Sequence, residues 1–184
     1  TMIALGRELG FDVEVVEDHA HDDGTRRWSS SWVRELLAVG DVRGASYVLG
    51  RPHRLRGTVV RGDQRGRELG FPTANLGPDL SGMVPADGVY AGYVRVLDLP
   101  GADAASASPL PAAVSIGTNP TFDGVERRVE AYVLDRTDLE LYGREVVVEL
   151  VGRLRDTLRF ESVAELVAQM HADVAAVAGE LAES

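Results

Sequence analysis

Cysteine is absent from the 184 residues. No disulfide can hold the fold, no thiolate can act, and zinc or iron–sulfur sites built on cysteine are excluded. Lysine is absent as well, so all 19 basic residues are arginine. Any cationic side chain that meets a phosphate must therefore offer a planar fork of donors. Aromatic residues make up only 6%, and the net charge is −10. Both facts count against a nucleic-acid partner, which needs a positive field and stacking rings. A small anionic ligand stays open, because a local arginine cluster can outweigh the global charge. No apolar run is long enough to span a bilayer, and no basic-then-apolar signal segment opens the sequence. No membrane partner is expected, and the cytoplasm is the expected location.

What remains is ordinary globular material, 45% hydrophobic. Its length suits one domain with a core, or a domain plus part of another. Residues 2–9 have helical spacing, and Gly10 reads as the C-cap. Phe11 to Val16 alternates apolar and acidic residues, which predicts a strand. A polar, charged loop follows over His19 to Arg27. The pair His19 and His21 fits either a metal site or a solvated acidic loop. Ser29, Ser30 and Ser31 can cap a helix from Trp32 to Val39, and a second short helix is expected over Val42 to Leu49.

From residue 54 the texture changes. Short alternating runs (LRGTVVRG, VYAGYVRVL, AAVSIGT, RRVEAYVLD, REVVVELVGRL) are separated by Gly, Pro and Asp clusters. Several short strands with turn signals between them predict an antiparallel barrel or sandwich. Residues 98–111 read as a mobile surface loop. The chain closes on a helix, with Ser162 and Glu165 as a capping box. Its apolar stripe comprises Val163, Leu166, Val167, Met170, Val174, Val177 and Leu181, and would cover an end or side of the barrel.

The hexapeptide GRELGF occurs at 6–11 and again at 66–71, in contexts that share nothing else. One short match without wider self-similarity is not an architectural repeat. Only the second copy has a setting that asks for glycine. Gly62, Gly66 and Gly70 recur every fourth residue after a strand, with Arg61, Arg65 and Arg67 among them. Glycines allow positive φ and close ligand approach, and successive free N–H groups can form an anion nest. A glycine-rich hairpin loop is the other reading. Beyond Pro72, Thr73 and Asn75 alternate, so an extended segment points both side chains the same way. A hydroxyl and an amide oxygen there suit a hard cation such as Mg2+, which takes few protein oxygens plus phosphates.

GRELGFPTANL resembles the GFPTAN signature of riboflavin kinases. Further blocks follow in the family's order: GVYAGYV at 88–94, SIGTNPTF at 115–122, VEAYVLD at 129–135, LYG at 141–143, and LRD with a later Phe at 154–160. The amino-terminal stretch is similar to the end of the FMN adenylyltransferase module that precedes the kinase in bacterial bifunctional FAD synthetases. Where that module usually has Ser-Ser-Thr and an Ile-Arg pair, this chain has Ser29-Ser30-Ser31-Trp32-Val33-Arg34. Its HxGH nucleotide motif has no counterpart here. The resemblance therefore implies residues 1–50 as a remnant of that module and residues 51–184 as the kinase. The implied fold is a mainly β, six-stranded antiparallel Greek-key barrel with a C-terminal helix, preceded by a small α/β remnant. FMN adenylylation by this chain alone is not expected, since the rest of the adenylyltransferase module would belong to the full-length enzyme.

The implied activity is ATP-dependent phosphorylation of the ribityl 5'-hydroxyl of riboflavin, giving FMN. Riboflavin and ATP would be the partners. Thr73 and Asn75 would hold Mg2+, and the loop bearing Gly62, Gly66, Arg67, Gly70 and Phe71, with Thr73, would take ATP. Many relatives carry Lys near Arg67. Glu130 would be the base; its strand alternates so that 129, 131 and 133 share one face and Glu130, Tyr132 and Leu134 the other. On spacing alone, a Glu in a strand can equally be a solvated face. Asn119, Pro120 and Arg155 would touch the flavin by the same resemblance. Competing readings are a non-catalytic flavin- or nucleotide-binding module and an oligonucleotide-binding barrel; intact Thr73, Asn75 and Glu130 oppose the first, the charge and aromatic content the second.

Overall fold

The computed structural model describes residues 1–15, 26–62, 65–97, 108–121, 124–136 and 138–182. They form two compact units, Thr1–Ser30 and Ser31–Ser184. His19 and His21, and residues 98–107 of the expected surface loop, lie outside the described residues.

In the first unit, α1 (Met2–Leu9) ends at Gly10 in the left-handed region, φ 76°, as its sequence predicts. The strand expected from Phe11 to Val16 is not formed over 11–15, and residue 16 lies outside the described residues. A strand exists by pairing, and the six strands among the described residues all belong to the barrel. The Phe11 N–H instead donates to Gly6 O at 3.0 Å, turning the segment back on α1. A Cβ at Gly6 would stand 2.6 Å from the Phe11 carbonyl oxygen, so glycine permits that return.

The second unit opens with α2 (Ser30–Ala38), all but its first residue, and α3 (Val42–Leu49). Gly40, at φ 81°, makes the corner between them, and Asp41 caps α3 by accepting from Gly44 N at 2.8 Å. Six strands follow: β1 (His53–Val60), β2 (Thr73–Leu76), β3 (Gly88–Val96), β4 (Leu110–Thr121), β5 (Gly124–Val133) and β6 (Glu145–Arg155). A one-turn helix, α4 (Arg65–Glu68), stands between β1 and β2. The strands close into an antiparallel barrel in the order β1-β2-β5-β4-β3-β6. Strands β3, β4 and β5 form a meander and β6 returns beside β3, a Greek key.

Period-two alternation puts Leu55, Val59, Val114, Ile116, Val129, Val146 and Val148 inside. Leu37, Val42 and Ala45 from α2 and α3 complete this core at 1% exposure or less, so both helices are part of the barrel's packing. The last helix, α5 (Val163–Ala182), lies on the outer wall made by β3, β4 and β6. Val177 seats on Ala91, with Leu154, Val174 and Leu181 around them. Ser162 Oγ accepts from Glu165 N at 3.2 Å, and Glu165 reaches back to the N–H of Glu161, one residue before the usual capping-box position. Val163, at the start of the predicted stripe, is exposed. No helix among the described residues is long and apolar enough to cross a membrane.

His53 is buried at the start of β1, its Nε2 2.8 Å from the Met83 carbonyl oxygen. Burial pushes its pKa below the usual 6.5; the Met83 carbonyl opposes this and Arg51 adds to it. The unfolded chain thus takes the proton first, so stability present above pH 6.5 is lost as pH falls through the lowered folded value. Urea midpoints between about pH 7.5 and about pH 5.5 should fall in the wild type. His53→Gln, which keeps an N–H donor for Met83, should flatten that acid-side slope; an unaltered slope would contradict the assignment.

Candidate functional site

The site begins on β2. Ala74 and Leu76 point into the core, so Thr73 and Asn75 point out. Register then places their neighbours. Asn75 lies opposite Glu130 on β5, and Glu130 lies opposite Ser115 on β4. Ser115 faces Val89 on β3, and Val89 faces Arg155 at the end of β6. One cross-strand row, Asn75–Glu130–Ser115–Val89–Arg155, thus crosses the outer wall of the barrel. Thr73 Oγ1 donates to Glu130 Oε2 at 3.3 Å, and the Asn75 amide nitrogen stands 3.4 Å from Thr73 Oγ1. Amide, hydroxyl and carboxylate therefore stand side by side.

The glycine loop is built differently from the sequence expectation. Of its three glycines only Gly70 takes positive φ, 88°. Gly62 and Gly66 serve close approach instead. A Cβ at Gly62 would be 2.6 Å from the Asn75 amide, and one at Gly66 would be 2.5 Å from the Phe71 carbonyl oxygen. The α4 turn stands within the segment that the glycines mark. The helix is closed by Phe71 N donating to Gly66 O at 2.8 Å. Phe71 itself is buried, edge-on to Tyr132 at 5.1 Å and to His171 of α5 at 5.0 Å. It ties the loop to β5 and α5.

Two clefts meet at Thr73. A narrow groove of about 60 Å³ runs past Gly62, Arg67, Thr73, Asn75, Arg136 and Tyr142. Arg61 lies over the Tyr142 ring at 5.7 Å. Arg136 is paired with Asp138 at 2.6 Å, which raises the guanidinium pKa and lowers that of the carboxyl. The second cleft, about 290 Å³, opens between the barrel wall and α5. Val89, Ser115, Glu130 and Tyr132 form its floor, and Leu166, Met170 and Val174 come from α5. An apolar slot with a few convergent polar groups is the usual form of a small-molecule site.

The expected site residues separate accordingly. Gly62, Arg67, Thr73 and Asn75 line the groove, whereas Gly66, Phe71, Thr73, Glu130 and Arg155 line the larger cleft. Gly70 shapes the loop's exit by its φ. Asn119 and Pro120 are in β4, opposite Glu126 and Val125. There β4 has passed its last partner on β3, Gly88 opposite Ile116, so a proline lacking N–H breaks no ladder on that side. Arg155 is held by Asp173 of α5 through two bonds, 2.8 and 2.6 Å. Ser115 and Asp173 are not among the residues singled out from the sequence, and Tyr132 is placed there only on the face of Glu130. Ser115 was findable, since AAVSIGT sets it opposite in face to Val114 and Ile116. Asp173 was signalled by a carboxylate beside the stripe residues Met170 and Val174.

Among the described residues no group of three or more His, Asp or Glu could hold a metal ion. A cation here would rest on the hydroxyl of Thr73 and, with the amide turned so that its oxygen replaces the nitrogen now facing Thr73 Oγ1, on Asn75, the remaining positions being left to water and substrate. That hard, sparse donor set fits Mg2+.

A closed six-stranded antiparallel barrel with two clefts that share Thr73 is the frame in which this chain resembles known proteins. The family model "Flavokinase: Riboflavin kinase" matches residues 49–181. The bifunctional riboflavin kinase/FMN adenylyltransferase of Escherichia coli (strain K12) is 40% identical over 168 residues, covering 91% of this chain and 50% of the relative. Its namesake in Bacillus subtilis (strain 168) is 35% identical over 153 residues, covering 80% of this chain and 45% of that one. A crystal structure of riboflavin kinase from Trypanosoma brucei aligns with TM-score 0.51 at 31% identity, over 71% of this chain and 77% of that chain. A structure titled as a macrolide-efflux protein from Streptococcus pneumoniae aligns with TM-score 0.76 at 36% identity, over 92% of this chain and 52% of that chain. The chain spans about half the length of the curated relatives it matches. It belongs to the riboflavin kinase family.

Proposed function

We propose that this chain transfers the terminal phosphoryl group of ATP to the ribityl 5'-hydroxyl of riboflavin, giving FMN for FAD biosynthesis. The observation that carries the reading is the position of Glu130. Its carboxylate lines the 290 Å³ cleft, stands 3.3 Å from Thr73 Oγ1, and is one strand away from Asn75. The flavin occupies the cleft under α5 with its ribityl chain toward Glu130. The phosphate end of ATP lies in the groove beside Arg67, Thr73 and Asn75. The hydroxyl oxygen attacks the terminal phosphorus as the bond to the bridging oxygen breaks and ADP leaves. Glu130 accepts the hydroxyl proton. Mg2+ held by Thr73 and Asn75 would supply charge neutralisation across the phosphate oxygens. Arg155, at the far end of the cleft, is assigned to the flavin. Asn119 and Pro120 belong to the same assignment, supported by their place in the SIGTNPTF block beyond Ser115 on β4.

We also assign residues 1–50 to the end of an adenylyltransferase module and 51–184 to the kinase barrel. Support comes from relatives named as bifunctional and from a family match that begins at residue 49. The boundary of origin then differs from that of packing, since α2 and α3 complete the barrel core. Adenylyl transfer is not part of the proposal. The cysteine-free composition suits work in the cytoplasm.

Glu130→Gln should bind both substrates at near wild-type affinity and lose on the order of 10²–10⁴ in kcat. Wild-type turnover in that variant removes Glu130 from the mechanism. Thr73→Ala and Asn75→Ala should each shift the magnesium titration of turnover to higher concentration, about tenfold or more. Identical titrations in both variants would reject the metal site.

A further inference from the structure

Asp173 is 8% exposed and lies on the buried side of α5, between the apolar residues Met170 and Val174. A carboxylate there costs free energy unless fully partnered. Its partners are complete. Arg155 Nε donates to Oδ1 at 2.8 Å, Arg155 Nη2 to Oδ2 at 2.6 Å, and Gln169 Nε2 to Oδ1 at 2.8 Å. Docking α5 does not by itself call for such a pair, because apolar residues of similar volume often stabilise as well or better. What a bidentate pair adds is direction: it fixes the plane of the guanidinium.

Arg155 has five N–H groups. Asp173 takes two and the Asp156 carbonyl oxygen a third, at 2.8 Å, which leaves two. Both Arg155 and Asp173 line the cleft under α5. Along the cross-strand row Arg155 is three strands from Glu130, by way of Val89 and Ser115. At roughly 4.8 Å per strand that is about 14 Å. The cleft thus has a proton acceptor at one end and an oriented donor fork at the other, with apolar walls between. An elongated ligand with hydroxyls at one end and carbonyl acceptors on a flat ring at the other is held in one sense only.

We propose that Asp173, supported by Gln169, is a positioning residue for the flavin: it aims Arg155 so that the ring's acceptor edge is met and the ribityl end falls at Glu130. This rests on the kinase reading above. The test is steady-state kinetics on the whole chain for the wild type, Asp173→Asn, Arg155→Gln and the double variant, with riboflavin binding followed by quenching of its fluorescence. Asp173→Asn should raise the KM and Kd for riboflavin about tenfold, with the ATP KM unchanged and kcat within about threefold. The double variant should be no worse than Arg155→Gln alone, because Asp173 acts through that side chain.

An unchanged riboflavin KM and Kd, additive losses in the double variant, or a parallel rise in both substrates' KM would overturn the inference. Should Asp173→Asn fail to fold, Gln169→Leu keeps the ion pair and should raise the riboflavin KM about two- to threefold, leaving that for ATP alone; no rise overturns it. Absence of FMN from the wild type would sink the kinase reading instead. The flavin Kd of the variants would then decide the positioning role by itself.

Discussion

The register of β2 is the constraint on which the site depends. The strand is four residues long and pairs with β1 at only two positions, Val59 with Leu76 and Val60 with Asn75. Its pairing with β5 covers three more, Thr73 with Tyr132 through Asn75 with Glu130. A slip of one residue would turn Thr73 and Asn75 into the core and expose Ala74 and Leu76. Burial of those two apolar side chains against the barrel interior therefore fixes where the polar pair stands. The glycine at 62 serves the same end, since a side chain there would collide with the Asn75 amide.

The barrel wall supplies one half of the larger cleft and α5 the other, and two contacts hold them in relation. Val177 seats on Ala91 in the apolar contact, and Arg155 is bridged to Asp173 in the polar one. Phe71 adds a third link, through rings on β5 and α5, and it sits directly after the glycine loop. Loop, strand and helix are thus mechanically joined at the point where the groove and the cleft share Thr73. Phosphoryl transfer asks mainly for positioning and charge stabilisation. A wall that presents hydroxyl, amide and carboxylate on adjacent strands suits the proposed reaction.

Much of this was legible in the residues. Alternation in RRVEAYVLD set Glu130 apart from Val129 and Ala131, and the structure has the latter two buried at 1%. The helix over 2–9 with its Gly10 cap was readable because its signals are local. FDVEVV misled because alternation reports a surface that can pair, not the presence of a partner. The glycines at 62 and 66 read, in sequence, as allowing positive φ and close ligand approach. The structure shows no positive φ there and uses them for room beside Asn75 and Phe71, contacts set by the tertiary fold. The Arg155–Asp173 pair spans 18 positions and joins a strand end to a helix interior. No local pattern announces it except a carboxylate beside an apolar stripe.

The central claim is that this barrel, with the site on its wall, makes FMN. Its most direct test is a product assay on the chain itself. Riboflavin and magnesium-ATP would be incubated with it, FMN and magnesium-ATP in a parallel sample, and the flavins resolved by chromatography. The account predicts FMN in the first sample, in step with ADP release, and no FAD in the second. Riboflavin recovered unchanged, with no ADP formed above the protein-free control, would contradict it.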